Sequence, residues 1–274
     1  MPVRITLALV LAVAALAAVA ASPASATEFA AASGAVAARL SFDQPTEYEY
    51  TNLRLTVTRA GAVAFDEPVA VPDCVQPFCR PSGFPVGSSA LAVRDLDADG
   101  EPEVLVDVST GGAHCCAVSW VLRWDGATYA AVAHNWGDAA YSLQDVDGDG
   151  APEFRSADTR FAYAFTAYAF SGFPVMTLAY RQGMFRDVTR RYKGLVRQDA
   201  RRQIREYRKR RSGRFSLGVL AAWTADQYLL GKREAAHRFL EAERRAGRLR
   251  SPPPWKSKGA YIGQLERRLR NWGY

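Results

Sequence analysis

The chain has 274 residues, with 35 Lys plus Arg against 28 Asp plus Glu for a formal charge of +7, and four cysteines. A 49% hydrophobic content excludes a disordered or low-complexity chain, and the length suits one large domain or two small ones. The charge is split along the chain: from residue 190 onward 24 basic residues stand against 7 acidic ones, a balance of +17, whereas the preceding part carries −10. A shift of that size marks a boundary between an acidic region and a basic one.

Residues 1–26 have the pattern of a secretory signal, with Arg4 at the charged start, an apolar run over 5–21 and a small-residue cleavage site at Ala24-Ser25-Ala26. The expected mature chain starts at Thr27 and is soluble and exported, because no later stretch is long and apolar enough to span a membrane. Residues 27–45 are Ala-rich and are expected to be a loose leader. LRLTVTRAGAVAF, residues 53–65, alternates apolar and polar positions on both sides of Ala60-Gly61 and predicts a hairpin. In an oxidising compartment an even number of cysteines favours disulfides. Cys74 and Cys79 flank a short loop and form the favoured local bridge. Cys115 and Cys116 are adjacent, with Cα atoms about 3.8 Å apart, so a bond between them is strained and more reducible. Cross-pairing between the two groups is the alternative.

Two acidic loops follow, DLDADGEPEV at 95–104 and DVDGDGAPEF at 145–154. Each crowds carboxylates that repel one another unless a cation neutralises them. The alternate spacing of Asp95, Asp97 and Asp99, with Glu103, and of Asp145, Asp147 and Asp149, with Glu153, offers hard oxygen donors around the bends at Gly100 and Gly150. Such donors suit calcium. A solvated acidic turn is the competing reading, and the second copy fifty residues later weighs against it. The loops are not EF-hands: position twelve is Val106 or Ser156, Pro102 or Pro152 stands at position eight, and strand-like segments follow. With the recurring proline and position-nine acid, the arrangement resembles the calcium loops of FG-GAP and VCBS repeats. That resemblance implies bound calcium, a β-repeat fold of the integrin propeller kind and a secreted bacterial protein.

Each copy offers about four strands in about fifty residues, the size of a propeller blade. The first copy turns at Asp125-Gly126, and the second, which includes FAYAFTAYAF as a strand, turns at Gln182-Gly183. Two blades and an opening half-blade cannot close a propeller. The expected fold is therefore α+β: a mainly β domain over 46–189, an incomplete propeller-like stack, with its open end covered by a basic helical region over 190–274.

GGAHCC at 111–116 places His114 beside two thiols. A soft-metal site and thiol redox chemistry compete there with structural disulfide chemistry, and zinc sites space their cysteines more widely. In the tail, helices are predicted over 190–211, over 215–231 with a stop at Gly231, over 232–247 with a stop at Gly247, and over 261–272. Arg201, Arg202, Arg205, Arg208, Lys209, Arg210 and Arg211 form a candidate anion-binding cluster. Its candidate partners are an anionic cell-wall polymer, a membrane surface, another protein or the protein's own acidic half, and no nucleic acid is expected. A solvated face in a chain with 30 Arg and 5 Lys is the alternative.

No G-x-S-x-G, H-E-x-x-H or phosphate loop occurs, and the three histidines are far apart in sequence. The resulting expectation is a secreted calcium-binding β-repeat protein acting as a non-enzymatic binding or scaffold module at the cell surface or wall. The alternatives are an exported hydrolase with a calcium-stabilised fold and a thiol redox protein using Cys115 and Cys116.

Overall fold

The computed structural model describes residues 26–72, 74–111, 116–209, 216–249 and 257–274. The signal segment over 1–25, His114 and Cys115 of the GGAHCC run, and Arg210 and Arg211 of the basic cluster lie outside these residues.

Three antiparallel sheets follow one another along the chain. The first joins β1 (Ala26–Ser33), β2 (Val36–Thr46), β3 (Glu49–Arg59) and β4 (Ala62–Pro68) in sequence order. The second joins the short β5 (Arg80–Pro81) and β6 (Leu91–Arg94) to β7 (Glu103–Ser109), followed by β8 (Ala117–Trp124) and β9 (Tyr129–Gly137). The third joins β10 (Ser142–Gln144), β11 (Glu153–Ala157), β12 (Val175–Arg181) and β13 (Met184–Asp187). Four helices complete the described chain: α1 (Lys193–Lys209), α2 (Leu217–Leu229), α3 (Arg233–Arg245) and α4 (Lys258–Asn271). None of them is long and apolar enough to cross a membrane.

Burial shows why the sheets stack. In β2, Val36, Ala38, Leu40 and Phe42 alternate with more exposed positions, and with Leu53, Leu55 and Val57 of β3 they pack against Val104, Val106 and Val108 of β7. The other face of the second sheet presents Leu105, Val121 and Trp136 to Phe154, Leu178 and Tyr180 of the third. Both faces of β7 are thus covered, and its run EVLVDV is buried throughout. A third apolar cluster joins α2, α3 and α4 with Phe161 and Phe165.

Two expectations need correction. Residues 27–45 are not a loose leader, because they form β1 and most of β2 and complete a four-stranded first sheet. Alanine is a weak strand former, but this pairing is held by Phe29, Ala31 and the buried side of β2. FAYAFTAYAF is not a strand either. It contributes to two 3-10 turns, Thr159–Phe161 and Tyr168–Phe170, with Tyr163 at φ 58° between them, and Phe161 and Phe165 turn into the helical cluster. The hairpin turns expected at Ala60-Gly61 and Gln182-Gly183 occur, with positive φ at all four residues.

Candidate metal centre

The acidic loops join β6 to β7 and β10 to β11, and the chain folds alike in both. In the first, Asp95 accepts from the amides of Asp97 at 3.2 Å and Gly100 at 2.9 Å, and Asp99 accepts from Glu101 N at 2.9 Å. Glu103 Oε2 reaches back to Leu96 N at 2.8 Å. In the second, Asp145 accepts from Gly148 N at 2.7 Å and Gly150 N at 3.0 Å, Asp149 from Ala151 N at 2.9 Å, and Glu153 Oε2 from Val146 N at 3.1 Å. These bonds fix the carboxylates in the loops, and both oxygens of Asp95 and of Asp145 accept from backbone amides. Carboxylate oxygens of Asp95, Asp97 and Asp99 lie within 4.8 Å of one another, and so do those of Asp145, Asp147 and Glu153. Glu103 stands outside the first of these tight groups and Asp149 outside the second.

The surroundings of the two loops differ. Glu103 is wholly buried and the Asp97 side chain is only 4% exposed. Asp97 Oδ1, Glu103 Oε1, Arg123 Nε and Tyr180 Oη are buried without a hydrogen-bond partner. Arg123 pairs with Asp99 at 2.7 Å, but its Nε lies 3.9 Å from both Asp97 and Glu103, too far for a hydrogen bond. Burial pushes the Glu103 carboxyl up to about 8, and the neighbouring Asp97, Asp99 and Asp95 act in the same direction. In the second loop, Arg181 lies 3.4 Å from Glu153 and 3.6 Å from Asp149. Asp147 is paired with Arg191 at 2.7 Å and accepts from the Tyr192 hydroxyl at 3.1 Å. Guanidinium groups therefore balance the second loop more fully than the first.

Each loop is also bonded to a neighbouring layer. Gln182 N, in the β12–β13 turn, donates to Asp97 Oδ2 at 3.0 Å, and Arg59 of β3 pairs with Glu101 at 3.0 Å. Arg191 and Tyr192, which hold the second loop, lie just before α1.

Cys74 and Cys79 form the expected disulfide, with Cα atoms 5.0 Å apart, and Cys116 is also disulfide-bonded. In the basic cluster, Arg201, Arg202, Arg205, Arg208 and Lys209 are exposed on α1. They are not a uniform stripe: Arg202 turns to Asp199, with Nε at 2.8 Å, and Lys209 pairs with Glu206 at 2.9 Å.

Two groups of polar residues had no sequence signal. Asp107, Ser119 and Tyr141 meet in the core: Ser119 donates to Asp107 at 2.5 Å, the Tyr141 hydroxyl donates at 2.7 Å, and Trp136 Nε1 donates to Ser119 at 2.8 Å. Arg155 of β11 faces α1 across a cleft. Both depend on strand register, Asp107 opposite Ser119 and Arg155 opposite Ser142, which residue spacing does not disclose.

No family model matches the chain, and no solved structure matches it. Over 141 residues, half of this chain, it is 33% identical to an uncharacterized protein of Sinorhizobium fredii. Over 112 residues, 39% of the chain, it is 31% identical to a probable thylakoid lumen protein of Synechocystis. The matches cover 22% and 33% of those two proteins, so the chain spans a third or less of the curated relatives it matches.

Proposed function

We propose that the protein is an extracytoplasmic calcium-binding β-repeat protein that acts as a non-enzymatic binding or scaffold module. The observation that carries the metal reading is the first loop, where Asp97 Oδ1 and Glu103 Oε1 are buried with no donor beside the clustered oxygens of Asp95, Asp97 and Asp99. A buried carboxylate oxygen left without a donor is costly, and a hard divalent cation relieves that cost. The donors are all oxygens and are set in a pliable glycine-bearing loop, which fits calcium better than zinc. Bound there, calcium supplies charge neutralisation and cross-linking of the loop. The chain's own residues set the shape through Leu96 N and Gly100 N, and Arg123 shares the load at Asp99.

Two further observations support the reading. Three consecutive antiparallel sheets of four, five and four strands stack face to face, as blades of an incomplete propeller do, and helical residues meet the third of them through Asp147 and Asp199. The disulfides, together with the description of one relative as a probable lumen protein, favour a compartment outside the cytoplasm.

The test is a calorimetric calcium titration of the chain after chelator treatment. About two ions should bind, and the melting temperature should rise, by an amount equivalent to about 2.7 kcal/mol when free calcium is a hundredfold above its dissociation constant. No heat at millimolar calcium and no melting shift would sink the proposal.

A further inference from the structure

Between the third sheet and α1 lies a cleft of about 510 Å³ that no acidic loop reaches. Arg155 of β11 lines one wall, Arg202 and Arg205 of α1 line the other, and Ser142 and Gln198 add polar groups. Among the described residues Asp199 is the one carboxylate in the lining. It is already engaged by Val175 N at 3.0 Å, Arg202 Nε at 2.8 Å and Gln203 Nε2 at 3.4 Å, so it has little capacity left to satisfy the other guanidiniums. Three guanidiniums against one carboxylate leave the cleft with two positive charges in excess. Among the described residues neither Arg155 nor Arg205 has an ion-pair partner, and Arg155 Nε is buried without any hydrogen-bond acceptor. The one described hydrogen bond of the Arg155 guanidinium goes to the neutral Gln144 side chain.

A buried guanidinium nitrogen with no acceptor is as costly as a buried carboxylate with no donor. Planar guanidiniums on two walls match the paired oxygens of a phosphate-type group, which each can hold with two parallel bonds. We infer that this cleft binds a compact soluble oxyanion of the phosphate class, gripped by Arg155 and Arg205 and seated against Arg202. The inference rests on the binding-module reading, and it moves the anion site from the exposed side of α1 to the side that faces the sheet. Val175 and Leu195 narrow the cleft with apolar surface, and a recess of this size suits a single group better than a flat bilayer.

Inorganic phosphate is the probe, titrated into the full chain by calorimetry with chelator present. Binding in the millimolar range or tighter is expected, and Arg155→Gln and Arg205→Gln should each weaken it by about tenfold or more. The pair Arg201→Gln with Arg208→Gln, outside the cleft, should change it by less than about twofold. Arg205 is exposed, so its variant keeps the test meaningful if Arg155→Gln does not fold, and Arg155→Lys retains the charge while losing the fork. Vesicles containing phosphatidylglycerol form a second arm, and free phosphate should outcompete any vesicle binding. A Glu103→Gln, Glu153→Gln double variant should lose calcium binding and keep phosphate binding, which separates failure of the cleft from failure of the calcium reading. The inference is overturned by no phosphate response up to about 20 mM, a concentration far above any specific affinity expected of three guanidiniums. It is equally overturned if the Arg201 and Arg208 pair matters as much as the cleft, if vesicles bind without competition from phosphate, or if phosphate binding vanishes with calcium binding.

Discussion

Glu103 stands at the head of β7 with one oxygen on Leu96 N and the other facing no donor, whereas Glu153 has Arg181 within 3.4 Å. A cation entering the second loop also competes with Arg191 and Tyr192 for Asp147. The first loop should therefore be the tighter site. Glu103→Gln should weaken the stronger step of a two-step calcium isotherm and Glu153→Gln the weaker, each with about a tenfold or larger loss of affinity at its own site. The carboxylates were legible in the sequence because their spacing is local. The arginines that hold them were not, since Arg123, Arg181 and Arg191 arrive through strand pairing and chain reversal. Asp107 is a second case of hidden chemistry: burial raises its carboxyl from 3.8 to about 7, against the opposing hydrogen bonds from Ser119 and Tyr141. The folded protein thus keeps a proton that the unfolded chain releases. Its stabilising effect is full below about pH 4 and is lost as pH rises to about 7, and the displacement is worth roughly 4 kcal/mol at the upper end. Urea denaturation of wild type and Asp107→Asn should show the wild type losing stability relative to the variant between pH 4 and 7, with a constant difference above.

At the level of elements, α2 and the segment that contains and follows the second 3-10 turn approach each other through a pair of glycines. A Cβ at Gly218 would sit 2.6 Å from Phe170 O and from Thr166 Cγ2, and one at Gly172 would sit 2.7 Å from Val219 Cα. Neither glycine has a left-handed backbone, so the demand is for space alone. Gly218→Ala should destabilise the chain by about 1–3 kcal/mol in urea denaturation, as overpacking against backbone does. Gly263→Ala in α4 is the contrasting case. Its Cβ would meet nothing within 4 Å, so the variant should gain about 0.5–1 kcal/mol from helix propensity. The four helices were legible from their apolar period and from the stops at Gly231 and Gly247, which have positive φ. FAYAFTAYAF was not, because alternating aromatics look the same whether they face another strand or a helix. The strand character of the Ala-rich segment was hidden for a related reason: it comes from the packing of Phe29, Ala31 and the buried side of β2, which alanine propensity does not signal.

For the molecule as a whole, the charge split at residue 190 proved to be partly an internal pairing. Arg191 of the basic part holds Asp147 of the acidic part, and Asp199 of the basic part accepts from Val175 N of the third sheet. Composition made the boundary visible without saying that the two parts touch. The acidic loops stand at the places where layers meet: Asp97 of the second sheet is gripped by the Gln182 amide of the third, and Asp147 of the third sheet by the residues that open α1. In mechanical terms the chain is a train of oily plates linked by ionic couplings, and the couplings rather than the plates should set its compliance. In hydrogen exchange, calcium should slow the Gln182 amide at least severalfold and leave the amides in the middle of β7 unchanged, since those open only with the plate itself. A chelator should reverse the first effect alone, loosening the train while every plate stays intact.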